Sequence, residues 1–468
     1  MTLKHRRVSR FFNRVAGHWV GGLRRAIAGG VLMLIMTSVT QAAGNITLSP
    51  GDFKRLEALQ DLLNSEAPSQ QAVADENWET LWQAAWYEAE GDSPGKQLMR
   101  VILVRFEASR AINEDRASDI LPRLKATLAE HQTDSVLPAE RVQDLRWTLV
   151  QTALAAEQDR LALQTLKGWM AHAQTVPARA DHLAAVLYAR QSDWEDAAKF
   201  IDQALRKVEG TPQDGWLALG VKIYDELKRY PRAIELQRLR LDLAGPDQEN
   251  QWTLLAQLQR QAGQHRSALA TLQAGWRQGA VTSPNTLRWL VQSLLQQDQP
   301  LESAHLLQRW AESHPRQVTH RDRQWLAESW RRARQYDKAV EAYAAYARGI
   351  RNDDPRAAAN AYRQIAGLAQ SHGDWRRVID SLDQALSVMP GAQHELRQKL
   401  SLLQATAWIE LNEAEQAQPL LSKLNHQARE EGDETLAKQT QYWLDYLKTT
   451  ALLSSAMSDA ADPEVAKR

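Results

Sequence analysis

Tyr224-Asp225-Glu226-Leu227-Lys228-Arg229-Tyr230-Pro231-Arg232-Ala233 is the stretch on which the fold turns. An aromatic residue stands nine positions before a small one, with a polar, proline-containing segment between them. Two antiparallel helices joined by a tight turn fit that spacing, because a small side chain early in the second helix lets the two backbones approach. The unit recurs in both directions. Ala162, Ala197, Ala233, Ala268, Ala304 and Ala339 follow at spacings of 35, 36, 35, 36 and 35, and Tyr188-Ala197-Ile201 and Trp330-Ala339-Tyr343 repeat the pattern. Val378 and Ala417 extend it, each 39 residues on, about one extra helical turn per repeat. A period of this size predicts an all-α fold, an α-solenoid of stacked helix-turn-helix repeats.

Outside the ladder the chain divides by pattern. Residues 1–42 are set apart by seven Lys/Arg and no acid (Lys4, Arg6, Arg7, Arg10, Arg14, Arg24, Arg25), then the apolar run Ala26 to Val39, then Thr40-Gln41-Ala42. A basic front, a short apolar run and a small-x-small exit predict a cleavable secretory signal. At about 14 residues the run is short of the roughly 20 that cross a bilayer, so retention as an inner-membrane anchor through residues 26–39 is the second reading. An N-terminal helical segment is expected over 43–138, the repeat solenoid over 139–426, a capping helix over 427–450, with Glu434 to Leu447 as its core, and a disordered tail over 451–468. Within the N-terminal segment, Asp52 to Leu63 has helical three-four spacing, and Asn64 to Asn77 reads as a loop. Trp78, Trp82 and Trp86 place three indoles on one helical face, which predicts a core stripe. Ser118 and Asp119 are expected to cap the helix that carries Pro122.

Hydrophobic residues make up 44% and charged residues 24%, enough apolar material for a continuous core. Lys/Arg and Asp/Glu balance at 57 each. Removing the signal leaves 50 basic against 57 acidic residues, a net charge of −7, which argues against a nucleic-acid partner. There is no cysteine, so disulfides, thiolate chemistry and Cys-based metal sites are excluded.

Catalytic patterns are weak. Gly91-Asp92-Ser93-Pro94-Gly95 satisfies G-x-S-x-G, but a nucleophile elbow needs a strand before it, and here a Trp-bearing helix precedes it, so a plain turn is expected. No H-E-x-x-H pair, phosphate-binding loop or dinucleotide fingerprint occurs, and His314 and His320 read as solvated loop residues. The reading is of a chain that is not an enzyme and that needs no metal or cofactor.

The period and the aromatic-Ala spacing resemble the tetratricopeptide repeat. More particular strings are Phe53-Lys54-Arg55-Leu56-Glu57-Ala58-Leu59-Gln60-Asp61-Leu62-Leu63, Gly215-Trp216-Leu217, Tyr224 to Ala233, Trp252-Thr253-Leu254-Leu255-Ala256-Gln257-Leu258, Gly275-Trp276-Arg277-Gln278-Gly279 and Leu301-Glu302-Ser303-Ala304. They resemble the exported tetratricopeptide proteins encoded beside TonB, ExbB and ExbD in Gram-negative bacteria. That resemblance implies a periplasmic interaction scaffold, an accessory of TonB-dependent transport across the outer membrane, with envelope proteins such as TonB, ExbB or ExbD components as partners and no membrane span after cleavage. A tetratricopeptide adaptor in outer-membrane protein or polysaccharide export is the second reading. Counting each ladder residue as position twenty, the repeat family's peptide-facing positions fall on Lys222, Asp225, Gln257, Arg260, Trp289, Glu328, Arg331, Arg332 and Arg363. Their Arg and Gln suit an extended acidic or polar peptide.

Overall fold

The computed structural model describes residues 48–65, 76–131, 136–245, 248–389 and 393–461. The expected signal over 1–42, the loop around Pro68, Pro390 and the last residues from 462 lie outside them. Two helices precede the regular pairs, α1 (Pro50–Ser65) and α2 (Glu76–Glu88). The pairs are α3 (Pro94–Asn113) with α4 (Ala117–Glu130), α5 (Ala139–Ala155) with α6 (Asp159–His172), α7 (Ala178–Arg190) with α8 (Trp194–Lys207), and α9 (Asp214–Glu226) with α10 (Tyr230–Ala244). They continue as α11 (Glu249–Gln261) with α12 (His265–Arg277), α13 (Pro284–Gln296) with α14 (Pro300–Ser313), α15 (His320–Arg332) with α16 (Tyr336–Ile350), α17 (Pro355–Ser371) with α18 (Trp375–Val388), and α19 (His394–Glu410) with α20 (Ala414–Glu431). The last helix is α21 (Glu434–Ala461). Every described element is a helix or a turn, and the fold is the expected all-α solenoid of helix-turn-helix repeats.

One backbone device builds all nine pairs. Each first helix ends on a residue with positive φ: Asp115, Glu157, Ser192, Lys228, Gly263, Asp298, Arg334, Gly373 and Asn412, with φ between 53° and 75°. The next amide then reaches back to close the helix, as in Arg229 N–H to Tyr224 O at 2.8 Å, Gln264 to Gln259 at 2.8 Å and Gln335 to Trp330 at 3.0 Å. This is the Schellman arrangement, which satisfies carbonyls that the helix end would leave open. The second helix starts two residues after the left-handed one, and the ladder residue is its fourth: Ala162, Ala197, Ala233, Ala268, Ala339, Val378 and Ala417 all stand there.

Two corrections follow from this register. In α14 the fourth residue is Ser303, with Ala304 fifth, so the rung is a serine whose Oγ lies 2.9 Å from Ser329 Oγ. Both residues are small and fully buried, so the sequence pattern did not separate them. The α3-α4 pair carries the same turn, with Arg116 N–H to Ala111 O at 2.8 Å and Ile120 at the ladder position. The regular repeats therefore begin at Pro94 rather than 139; a rung of isoleucine hid the first one. Helix α4 also starts at Ala117, which puts Ser118 and Asp119 inside its first turn instead of at its cap.

The chain divides into two compact units, 1–268 and 269–468. The core of the first runs continuously from Leu56 through Val104, Leu145, Leu187 and Ile223 to Leu258. That of the second runs from Ala304 through Trp330, Tyr346, Ile365 and Leu382 to Ala407, with a further cluster of Ala417, Leu421 and Leu447 under α21. Trp82 is buried and Trp86 half-buried, and both indole N–H groups donate to Glu107 Oε1 at 2.8 and 2.9 Å, so these two rings pack on α3 as a core stripe would. Helix α21 runs to Ala461, well past Leu447 and into the stretch expected to be disordered. No glycine or proline interrupts 434–461, and Ala, Leu and Met favour continuation.

Candidate functional site

All nine groove residues lie on first helices: Lys222 and Asp225 on α9, Gln257 and Arg260 on α11, Trp289 on α13, Glu328, Arg331 and Arg332 on α15, and Arg363 on α17. The left-handed turn gives a common ruler. Six residues before it stand Lys222, Gln257, Gln292 and Glu328, and three before it stand Asp225, Arg260, Leu295 and Arg331. Because the rung of the α13-α14 pair is Ser303, Trp289 falls one place out of register. Its neighbour Arg288 is the equivalent of Arg363, each ten residues before its turn.

The charges at these positions are mostly matched inside the protein. Lys222 Nζ donates to Glu226 one helical turn on. Arg331 grips Glu328 with two bonds, Nε to Oε2 at 2.9 Å and Nη2 to Oε1 at 2.6 Å, and the Tyr343 hydroxyl donates to the same Oε2 at 2.9 Å. Burial pushes the Glu328 carboxyl up, but hydrogen bonds from Arg331 and Tyr343 outweigh it and hold the group below the usual carboxylate range. The Tyr343 phenol is pushed up, by burial first and by the adjacent Glu328. A partner carboxylate at Arg331 must therefore displace Glu328 from a bidentate pair, a different position from the open fork the sequence suggested. Arg332 reaches back one repeat to Leu295 O and Asp298 Oδ1, both at 3.2 Å. Arg288 clamps Asp322 at 2.9 Å through both Nε and Nη2, and Asp322 also receives the Thr319 N–H and hydroxyl in the capping box of α15. Gln257, Arg260 and Arg363 are exposed, and Trp289 is half-buried. Arg363 has no ion pair or side-chain hydrogen bond among the described residues.

The first unit also holds a cavity of about 330 Å³ between α2, α3 and α4, lined by Trp82, Glu107, Arg110, Ala111, Arg116, Asp119 and Ile120. Its polar walls are likewise satisfied from within. Glu107 takes both indoles on Oε1 and Arg123 on Oε2 at 2.7 Å, while Arg110 and Arg116 both hold Glu114. Ser93 of the G-x-S-x-G string is the N-cap of α3, its Oγ accepting from the Lys96 amide at 3.3 Å. That is the plain turn the sequence predicted. Among the described residues no three His, Asp or Glu side chains converge to hold a metal.

No protein-family model matches the chain, and no curated protein does. Solved structures with a similar helical arrangement include a fragment of MamA from Desulfovibrio magneticus RS-1, at 16% identity and TM-score 0.29, covering 38% of this chain and 97% of that one. A tetratricopeptide repeat protein from Parabacteroides merdae is 15% identical with TM-score 0.29, covering 55% of this chain and 96% of its own. PilF of Pseudomonas aeruginosa is 15% identical with TM-score 0.26, covering 46% and 92%. Overlaps of this size bear neither on partners nor on place in the cell.

Proposed function

We propose that the chain is a protein-interaction scaffold whose first helices present a regularly spaced polar face to an extended segment of a partner. The observation that carries this reading is the ruler itself: in four successive repeats a polar side chain stands six residues before the turn, Lys222 and Gln257 in one unit, Gln292 and Glu328 in the other, flanked by Val186 and Gly367 at the same place in α7 and α17. Packed helices stand roughly 10 Å apart, about three residues of extended chain. Within either unit a strand-like peptide can thus offer a carbonyl or side chain to each repeat in turn. Arg363 adds an open guanidinium fork to the second unit, suited to a carboxylate.

The basic front and short apolar run of residues 1–42 support export to the periplasm of a Gram-negative cell, and the quoted strings support a TonB-type system as the setting. Affinity capture from envelope extract, followed by binding of the recovered partner to wild-type protein and to Arg363→Glu, tests both levels. Recovery of TonB, ExbB or ExbD components, with at least several-fold weaker binding by Arg363→Glu and weakening with salt, is the expected result. Capture of outer-membrane assembly or polysaccharide-export proteins instead removes the TonB assignment and keeps the scaffold. Unchanged affinity in the variant removes Arg363 from the contact.

A further inference from the structure

Alternating helices give each unit two edges. The tight left-handed turns within pairs share one, and the connections between pairs share the other. Along the turn edge, arginines are neutralised by carboxylates one repeat away: Arg229 by Glu195 at 2.9 Å, Arg332 by Asp298 at 3.2 Å and Arg376 by Glu413 at 2.7 Å. Along the connection edge of the first unit, Lys207 holds Asp181 at 2.6 Å and Arg240 holds Asp214 at 2.8 Å. On the connection edge of the second unit Arg288 holds Asp322 in the same way, but five further arginines gather there without such a partner. Arg309 near the end of α14, Arg316 in the following connection, Arg348 in the last turn of α16, Arg351 after it and Arg356 in the first turn of α17 are all exposed, and none has an ion pair among the described residues. The two connections lie side by side. His320 Nε2, at the start of α15, is 3.2 Å from Asp353 Oδ2, and a Cβ on Gly349 would meet His320 at 3.6 Å and Arg323 at 3.9 Å. Three acids stand among them, Asp353 beside His320, Asp354 as the cap of α17 and Glu312 accepting from Gln308, so the five guanidinium groups remain in excess.

We propose that this edge, Arg309 to Arg356, docks on the headgroups of an anionic phospholipid bilayer. Guanidinium groups left without carboxylates supply what a negatively charged leaflet rewards, since each basic residue near such a surface adds to binding without needing a shaped pocket. A folded protein partner docks best where the centre of the patch is apolar and depleted of charge. The exposed large apolar side chains of this unit, Leu301, Tyr442, Tyr446, Leu452 and Leu453, belong to the start of α14 and to α21, away from this edge. Duplex nucleic acid offers the same phosphates. The N-terminal apolar run favours the bilayer, because a signal or an anchor delivers the chain to a membrane; in this respect the choice rests on the export reading.

The absence of cysteine makes a site-resolved test direct. Asn352→Cys puts a single fluorophore on the basic edge, and Gln335→Cys puts one on the turn edge; both positions are exposed. With the full chain, vesicles containing phosphatidylglycerol should shield the label at 352 from iodide and leave the label at 335 open. Pure phosphatidylcholine vesicles should shield neither. Adding Arg316→Glu and Arg351→Glu should raise the lipid concentration for half shielding about tenfold or more. Equal shielding at both positions, as tethering through the basic N-terminus would give, overturns the proposal. So does shielding indifferent to lipid charge or to the double variant. Protection of position 352 by duplex DNA and not by anionic vesicles assigns the edge to nucleic acid.

Discussion

His182 lies on α7, 2% exposed, with its ring stacked on Trp216 of the next first helix at 4.6 Å and 9°. Burial pushes its pKa down to about 4, so the native ring is neutral at pH 7. The sign follows directly. Between the unfolded value near 6.5 and about 4, the unfolded chain takes up a proton that the native state refuses, so stability is greatest above the unfolded pKa and falls as the medium is acidified. Over that window the loss amounts to roughly 3 kcal/mol. Urea unfolding of wild type and His182→Phe at pH 7 and pH 4.5 measures it. The variant keeps an aromatic ring against Trp216 and should lose much less stability on acidification; an equal drop in both removes His182 as the source. Ala339 gives a second test at this scale. Its side chain is fully buried at the fourth position of α16, where Ala339→Leu should overpack and cost roughly 1–3 kcal/mol by denaturant titration. At the candidate site, the pairing that closes Arg331 was present in the sequence as Glu328, three residues earlier on the same helix face. The bond from Tyr343 was not, because it depends on how α16 lies against α15.

The recurring turn is the element that most defines the fold. Seven of its nine left-handed positions hold residues other than glycine. An L-residue in that conformation costs roughly 1–2 kcal/mol, and glycine gives back part of the difference through its greater freedom in the unfolded chain. Lys228, at φ 56° and exposed, is a clear case. Lys228→Gly should raise stability by roughly 0.5–1 kcal/mol, whereas Lys222→Gly inside α9 should lower it by about 1 kcal/mol. Denaturation midpoints moving in the same direction for both substitutions would show that the turn is not strained at Lys228. The same chemistry explains what could be read from the chain. The period, the all-helical class and most rungs followed from spaced small residues, because close helix approach demands them. The turns were not legible individually, since Asp, Glu, Ser, Lys, Arg and Asn carry no shared mark; Ser303 passed behind Ala304, and the α3-α4 repeat behind Ile120. One misplaced rung then moved a candidate site residue from Arg288 to Trp289.

At the scale of the whole molecule, stability should be local. In the described pairs each helix packs chiefly on its sequence neighbours, with lighter contacts between first helices, such as His182 of α7 on Trp216 of α9, across successive repeats. A stack of this kind behaves as a chain of nearest-neighbour couplings, so a defect propagates by losing interfaces in succession and not by collapsing one shared core. The core cluster from Leu56 to Leu258 belongs to the first compact unit and that from Ala304 to Ala407 to the second. Leu382, fully buried in α18, sits in the second. Leu382→Ala should remove roughly 2–5 kcal/mol from that core and speed amide exchange most in α17 and α18, less in α15, α16, α19 and α20, and not measurably in α5 to α8. Hydrogen exchange read by mass spectrometry resolves these helices as separate peptides. Uniform acceleration across both units would mean that they unfold as one cooperative body, and the nearest-neighbour account of this chain would have to be abandoned.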